Sequence, residues 1–145
     1  MPAWAIPWIK KALPYLGFDN DISDIVADIL IPFENMRNFF RWYNEEVGLY
    51  PVYICPAKAG GKHTFWKEGL ACDFGIGYGV ESDDDIGNAK KIEKKMLELG
   101  GNKMLYSKTR VSEDEFWSIY DKKAYSVLRD KYHSKFPDLF SKVKA

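Results

Sequence analysis

Apolar residues in this chain fall into short runs and helix-spaced sets, which predict four strands and three helical stretches. The strands are expected at 25–31, 50–55, 70–78 and 103–107, in β-branched or aromatic runs bounded by proline, glycine or polar residues. Helical spacing marks 34–47, 83–99 and 116–128. Asp83, Asp84 and Asp85 suit the positive end of a helix dipole, and Ser112 with Glu115 has the spacing of a capping box.

The order of these elements is β-α-β-β-α-β-α, which indicates one α+β fold. A split βαβ unit of this kind forms a ferredoxin-like, four-stranded antiparallel sheet with helices on one face, here followed by a C-terminal helical tail. The sequence therefore predicts an N-terminal arm over 1–22, an α+β domain over 23–110 and a helical segment over 111–145. Strands 25–31 and 70–78 are expected to be the central pair.

Two helices cover only one face of such a sheet, and alternation indicates which side chains lie on the other, open face. In the first strand Ala27, Ile29 and Ile31 suit the helix side, which leaves Asp28 and Leu30 for the open face. In the third strand Asp73, Gly75 and Gly77 share a face that cannot fill a core. We therefore expect Asp28 and Asp73 to be neighbours on the open face.

The functional interpretation of these carboxylates is a polar anchor in an otherwise apolar substrate chamber. The simpler interpretation is that each carboxylate caps a local backbone group or meets water. Tyr53, Cys55 and Tyr106 are expected beside them if their strands keep the same parity. These residues form the candidate substrate-binding set: Asp28, Leu30, Tyr53, Cys55, Asp73, Gly75, Gly77 and Tyr106.

Composition excludes several classes of function. The 145 residues carry 21 Lys+Arg and 21 Asp+Glu, so the basic excess of a nucleic-acid binder is absent. Two cysteines and two histidines do not make a structural zinc site, and they favour free thiols in a reducing, cytoplasmic compartment. The apolar N-terminus is interrupted by prolines and lysines, so we expect neither a signal peptide nor a transmembrane segment.

Two short motifs resemble chemical signatures without their context. The run from Gly75 to Gly79 lacks the last glycine of a dinucleotide loop, and the acidic residues after it would repel a pyrophosphate. Asp73-Phe74-Gly75 spells a kinase tripeptide, but the other kinase motifs are missing. No nucleophile and base stand at a recognisable spacing, so the catalytic residues are unknown.

Three collinear stretches resemble the C-terminal part of the delta(24)-sterol reductases, FAD-dependent enzymes of the vanillyl-alcohol-oxidase type. The first is 26–32 (VADILIP) followed by 49–56 (LYPVYICP), and the second is 73–79 (DFGIGYG). The third runs from Gly101 through 104–106, 115–117, Tyr125 and 128–131 to Phe136-Pro137. Together they span about residues 24–140 in the order and spacing of that family.

The resemblance implies a cap domain whose open face covers the substrate above the flavin. In sugar-oxidising relatives an acidic residue near the end of the first cap strand contacts substrate hydroxyls, and Asp28 matches that position. Basic residues of those relatives correspond to Leu30 and to glycines here, which implies a more apolar, sterol- or isoprenoid-like substrate.

The family places its FAD-binding domain before the cap, so the resemblance implies that FAD is held mainly by a domain or subunit outside this chain. We expect the isolated chain to be colourless and inactive. Some aromatic residues of the tail are expected to be exposed, as a surface for that partner. The alternative is a stand-alone ferredoxin-like module that binds a small ligand or dimerises through its open face.

Overall fold

The secondary structure follows the predicted order, with more helices at the C-terminal end. The computed structural model describes residues 25, 27–59, 69–76, 82–133 and 135–144. Its strands are β1 (Ala27–Pro32), β2 (Val52–Ala59), β3 (Gly69–Ile76) and β4 (Asn102–Lys103). Its α-helices are α1 (Met36–Glu46), α2 (Asp85–Glu98), α3 (Glu113–Ile119), α4 (Lys122–Lys131) and α5 (Leu139–Val143). The arm predicted at 1–22, with its tryptophans, and Gly77 lie outside the described residues.

The four strands form one antiparallel sheet in the order β2-β3-β1-β4. β1 and β3 are the central pair, as the order of the elements predicted. Helices α1 and α2 both contact β1 and also contact each other, so they cover the same face. The ferredoxin-like α+β prediction is confirmed.

The core lies between this helix layer and one face of the sheet. Phe74 from β3 is fully buried and makes edge-on ring contacts with Phe39 and Tyr43 of α1, at centroid distances of 5.0 and 4.7 Å. Ile29 of β1 and Ile92 of α2 complete the same cluster. Ile29 and Phe74 therefore point to the face that alternation assigned to the helix side. A one-residue shift of either strand would have turned its side chains to the other face.

Two strand boundaries differ from the prediction. β2 does not stop at Pro56 but continues to Ala59, since β2 is an edge strand and a proline there need not interrupt the ladder. β4 is only two residues long, Asn102–Lys103, although Met104 N still donates to Asp28 O at 2.9 Å. The chain then turns, and Arg110 N donates to the buried Glu93 carboxylate at 2.7 Å.

A buried ion pair accounts for that turn. Lys103 Nζ on the helix side of β4 contacts Glu93 Oε1 of α2, and both residues are almost completely buried. Thr109 Oγ1 donates to Glu93 Oε2 at 3.3 Å. Burial lowers the pKa of Lys103, and the Glu93 carboxylate opposes that shift. The pair therefore ties β4 and α2 to the Thr109 hydroxyl and to the backbone of Arg110.

The stretch predicted as one helix over 116–128 is two helices. Tyr120 leaves the helical conformation with φ −106° and ψ 140°, and its hydroxyl is hydrogen-bonded to Lys103 O. Asp121 then begins α4 by accepting a hydrogen bond from Ala124 N at 2.9 Å. The predicted capping box at Ser112 and Glu115 is confirmed at the start of α3.

The C-terminal segment has a small core of its own, formed by Phe116, Tyr120 and Val143. Outside it, Tyr132 is 69% exposed and Phe136 is 77% exposed. The expectation that some aromatic residues of the tail are exposed is therefore confirmed for these two. No helix among the described residues combines the length and the apolar character needed to cross a bilayer.

Candidate functional site on the open sheet face

The candidate residues lie in two neighbouring rows across the open face of the sheet. Antiparallel pairing places Tyr53, Gly75 and Asp28 in one row, and Cys55, Asp73, Leu30 and Asn102 in the next. Residues directly opposite each other in an antiparallel sheet point to the same face. Asp28 and Asp73 therefore share the open face as diagonal neighbours, which confirms the predicted register.

Tyr106 does not join this group. It follows β4 in a turn and is 63% exposed, whereas Tyr53 lies on β2 at the opposite edge of the sheet. The prediction was wrong because it extended β4 to residue 107, while the strand ends at Lys103. Gly77 lies outside the described residues.

Gly75 has no side chain, and the side chains of Asp28 and Tyr53 occupy the space above it. A Cβ atom on Gly75 would lie within van der Waals overlap of Asp28 Oδ1 and 3.3 Å from Tyr53 Cδ1. The carboxylate of Asp28 and the ring of Tyr53 therefore converge above the glycine from the two adjacent strands. A larger residue at this position would separate them.

The two aspartates are held in an environment that disfavours their charged forms. Burial raises the pKa of Asp73, and the nearby Asp28 carboxylate raises it further. Burial also raises the pKa of Asp28. Among the described residues, Asp73 Oδ1 is buried without a hydrogen-bond partner. A buried acceptor without a partner is unfavourable, so this oxygen would gain from a donor brought by a ligand.

The cysteines lie on opposite faces of the sheet. Cys55, on the open face, raises the pKa of the Tyr53 hydroxyl, first through a hydrogen bond, and Asp73 and Asp28 add to that effect. Cys72 is buried on the helix side, where burial raises the pKa of its thiol. Both thiols are free.

The sequence analysis missed a third row on the same face, formed by Ala57, Ala71 and Pro32. The alternation that placed Asp73 on the open face also places Ala71 there, so the signal was present.

Leu30 lies on the open face as expected, but it is only 4% exposed, so this part of the face is covered. Leu139 of the C-terminal segment lines the same cavity as Leu30, so this segment shields that end of the open face.

This arrangement can bind and orient a ligand but shows no recognisable catalytic group. The carboxylates can accept hydrogen bonds from a hydroxyl, while the alanines and Gly75 form a small, apolar floor. No cluster of His, Cys, Asp or Glu in the described part of the chain could hold a metal ion. The start of α2 does not fit a flavin pyrophosphate, since Asp84 caps it by accepting from Gly87 N at 2.8 Å and Asp85 follows.

Comparison with known proteins bears on the family resemblance. The chain is 26% identical to the human Delta(24)-sterol reductase over 129 residues, which cover 82% of this chain and 25% of the relative. A Delta(24)-sterol reductase homologue of Caenorhabditis elegans is 24% identical over 156 aligned positions, covering 97% of this chain and 30% of the relative. The Arabidopsis thaliana enzyme is 22% identical over 134 positions, covering 76% of this chain and 24% of the relative.

These matches cover only one part of each relative. No protein-family model and no solved structure matches the chain. The chain spans about a quarter of the length of the relatives it matches. It is similar over most of its own length to one part of the delta(24)-sterol reductases, as its motifs indicated.

Proposed function

We propose that this chain is the substrate-covering part of an FAD-dependent oxidoreductase and that its open face lies over a largely apolar, sterol- or isoprenoid-like substrate. One observation carries the proposal: the open face combines a floor of Gly75, Ala71 and Ala57 with a paired-carboxylate anchor at Asp28 and Asp73. An apolar surface with a few convergent polar groups is the usual composition of a small-molecule site.

Each side chain has a binding role in this proposal. Asp73 Oδ1 and the Asp28 carboxylate accept hydrogen bonds from a substrate hydroxyl, which relieves their unfavourable burial. Tyr53, on the edge strand β2, forms the outer wall of the anchor. Leu30 gives the apolar side of the same row.

FAD is the cofactor that the family resemblance implies, and it supplies hydride transfer when bound. The described residues do not fit its phosphates, so we expect another domain or subunit to hold it. The C-terminal segment supports such a contact, because α4 buries none of its own residues. Exposed apolar residues lie on and after this helix: Val127, Leu128, Tyr132 and Phe136.

Dimerisation through the open face is the alternative, and the carboxylates argue against it. A two-fold contact would bring Asp28 and Asp73 of one copy against the same residues of the other. Four carboxylates would then be removed from water without cations to compensate, which is unfavourable.

A chimera tests the proposal. Residues of this chain replace the matching segment of the human Delta(24)-sterol reductase, and sterol reduction is measured. Tyr53→Asp puts a charge on the open face, whereas Ile54→Asp puts it on the other face of the same strand; the two side chains are 58% and 45% exposed. We expect Tyr53→Asp to lower kcat/KM at least about tenfold and Ile54→Asp to change it little, since a charge in an apolar site must be desolvated. A folded, flavin-loaded chimera without sterol turnover would contradict the proposal.

A further inference from the structure

A cavity of about 260 Å³ lies where β1 and β4 meet the C-terminal segment. Leu30 forms its wall on the sheet side, and Met104 and Leu105 line it from the turn after β4. Tyr120, between α3 and α4, and Leu139, at the start of α5, close it from the C-terminal side. Two lining residues, Leu30 and Asn102, also lie in the second row of the candidate site.

Asn102, Lys103 and Tyr120 are the polar residues that line this cavity, and the polar groups of Lys103 and Tyr120 are engaged elsewhere. Lys103 directs its ammonium group to Glu93 on the helix side of the sheet. The Tyr120 hydroxyl is hydrogen-bonded to Lys103 O and accepts from Lys103 N at 3.3 Å. Tyr120 therefore presents its ring, while leucine and methionine side chains form most of the remaining wall. A ligand group that enters this space gains by burial of apolar surface.

The volume of the cavity limits the size of the ligand group that it can hold. An engineered apolar cavity of about 150 Å³ accommodates benzene, whereas whole drug-sized ligands occupy sites of about 300 to 1,000 Å³. The present cavity, at about 260 Å³, is too small for a complete sterol and larger than one aromatic ring requires. It fits one end of a larger apolar molecule.

The cavity adjoins the carboxylate anchor at Leu30, which forms part of its wall. Leu30 lies in the same row as Asp73, on directly paired strands. Neighbouring strands are about 4.8 Å apart, so the anchor and the cavity wall are within one small molecule's reach of each other. A ligand can place its apolar end in the cavity and its hydroxyl over the carboxylates.

We infer that this cavity binds a branched hydrocarbon chain of about eight to ten carbon atoms, the apolar end of an isoprenoid-like ligand. The ligand class rests on the proposed function, but the binding step requires neither flavin nor turnover. It is therefore testable on the 145-residue chain alone.

The probe is citronellol, a branched ten-carbon isoprenoid alcohol, titrated into the chain with ¹³C-methyl NMR detection. We expect saturable shifts of the methyl groups of Leu30, Met104, Leu105 and Leu139, which line the cavity. Leu139→Trp fills the cavity and is expected to raise Kd at least about tenfold, since the hydrocarbon loses its burial. Leu128→Trp, on the exposed surface of α4, is the matched control and is expected to leave Kd within about twofold.

Met104→Trp is the second cavity variant and covers the possibility that Leu139→Trp disturbs α5. Unchanged methyl signals of Ile92 in the main core identify a folded variant. Equal affinity of the wild type and a folded cavity variant would overturn the inference, and so would the absence of saturable shifts in the wild type. The chimera assay separates the two proposals. If Tyr53→Asp abolishes sterol turnover while Leu139→Trp leaves it unchanged, the cavity inference fails and the proposed function stands.

Discussion

Asp73→Asn should stabilise the isolated chain at neutral pH, because it removes one of two carboxylates that repel each other on the open face. Asp28 pairs with Gly75 and Asp73 pairs with Leu30, so the two aspartates are diagonal neighbours on adjacent strands. Diagonal cross-strand side chains lie about 7 Å apart. At that separation two unit charges repel by about 0.6 kcal/mol in water and by about 2.4 kcal/mol at an effective dielectric constant of 20. We expect a net stabilisation of about 1 kcal/mol at low ionic strength.

The pH dependence has a definite sign. Both aspartates have a folded-state pKa above the ordinary value of 3.8, because of burial and, for Asp73, also because of the Asp28 charge. The folded state therefore binds protons more tightly than the unfolded state, and the wild type loses stability as the pH rises through the folded-state pKa values. The advantage of Asp73→Asn is expected to be largest at neutral pH and to fade as the pH falls toward 3.8.

A double-mutant cycle with Asp28→Asn isolates the repulsion. Unfolding free energies from urea denaturation of the wild type, both single variants and the double variant give the coupling between the two side chains. The exposed Asp130→Asn on α4 is the control and should change stability by less than about 0.5 kcal/mol. A coupling of zero at pH 7, or the same pH profile in Asp73→Asn and the wild type, would refute the electrostatic interpretation of the site.

Substitutions at three further positions probe the scaffold. Gly101→Ala should destabilise the chain by about 1–3 kcal/mol in urea denaturation, because its Cβ would lie 2.5 Å from Leu30 O, a backbone atom that cannot turn away. Lys103→Met should cost about 3 kcal/mol, since it leaves the buried Glu93 carboxylate without its cation, and an unchanged Tm would contradict this. Ser112→Ala removes the cap of α3 and should cost about 1 kcal/mol, whereas Ser112→Asp should retain most of the stability.

The sequence predicted those parts of the fold that depend on local pattern. Alternation determined which face each residue of β1 and β3 occupies, because one side of the sheet must bury its side chains and a shift by one residue would expose them. The face on which Asp28 and Asp73 lie followed from that pattern, and their proximity followed from the predicted strand order. The capping box at Ser112 was equally local, since its hydrogen bonds join residues three positions apart.

The parts that could not be predicted depend on contacts between distant residues. The chain turns away after β4, where Glu93 on α2 accepts hydrogen bonds from the Thr109 hydroxyl and from Arg110 N, and nothing in the run from residue 103 to 107 indicates these contacts. The break at Tyr120 likewise depends on the hydrogen bond between its hydroxyl and β4. Tyr106 was misplaced for the same reason, since the apolar character of its neighbours is equally compatible with a strand.

The unfavourable electrostatics of the open face and its proposed function have a common physical basis. A surface that faced only water would gain stability from a cation beside Asp73. Here burial raises the pKa of Asp73, one of its oxygens has no partner within the described residues, and Gly75 keeps the neighbouring Asp28 and Tyr53 close together. Groups held in a costly state by a rigid sheet can recover that free energy when a ligand supplies the missing donor. The same substitution that stabilises the free chain, Asp73→Asn, should therefore weaken binding of a hydroxyl-bearing ligand, and this opposite response distinguishes a binding site from a merely imperfect surface.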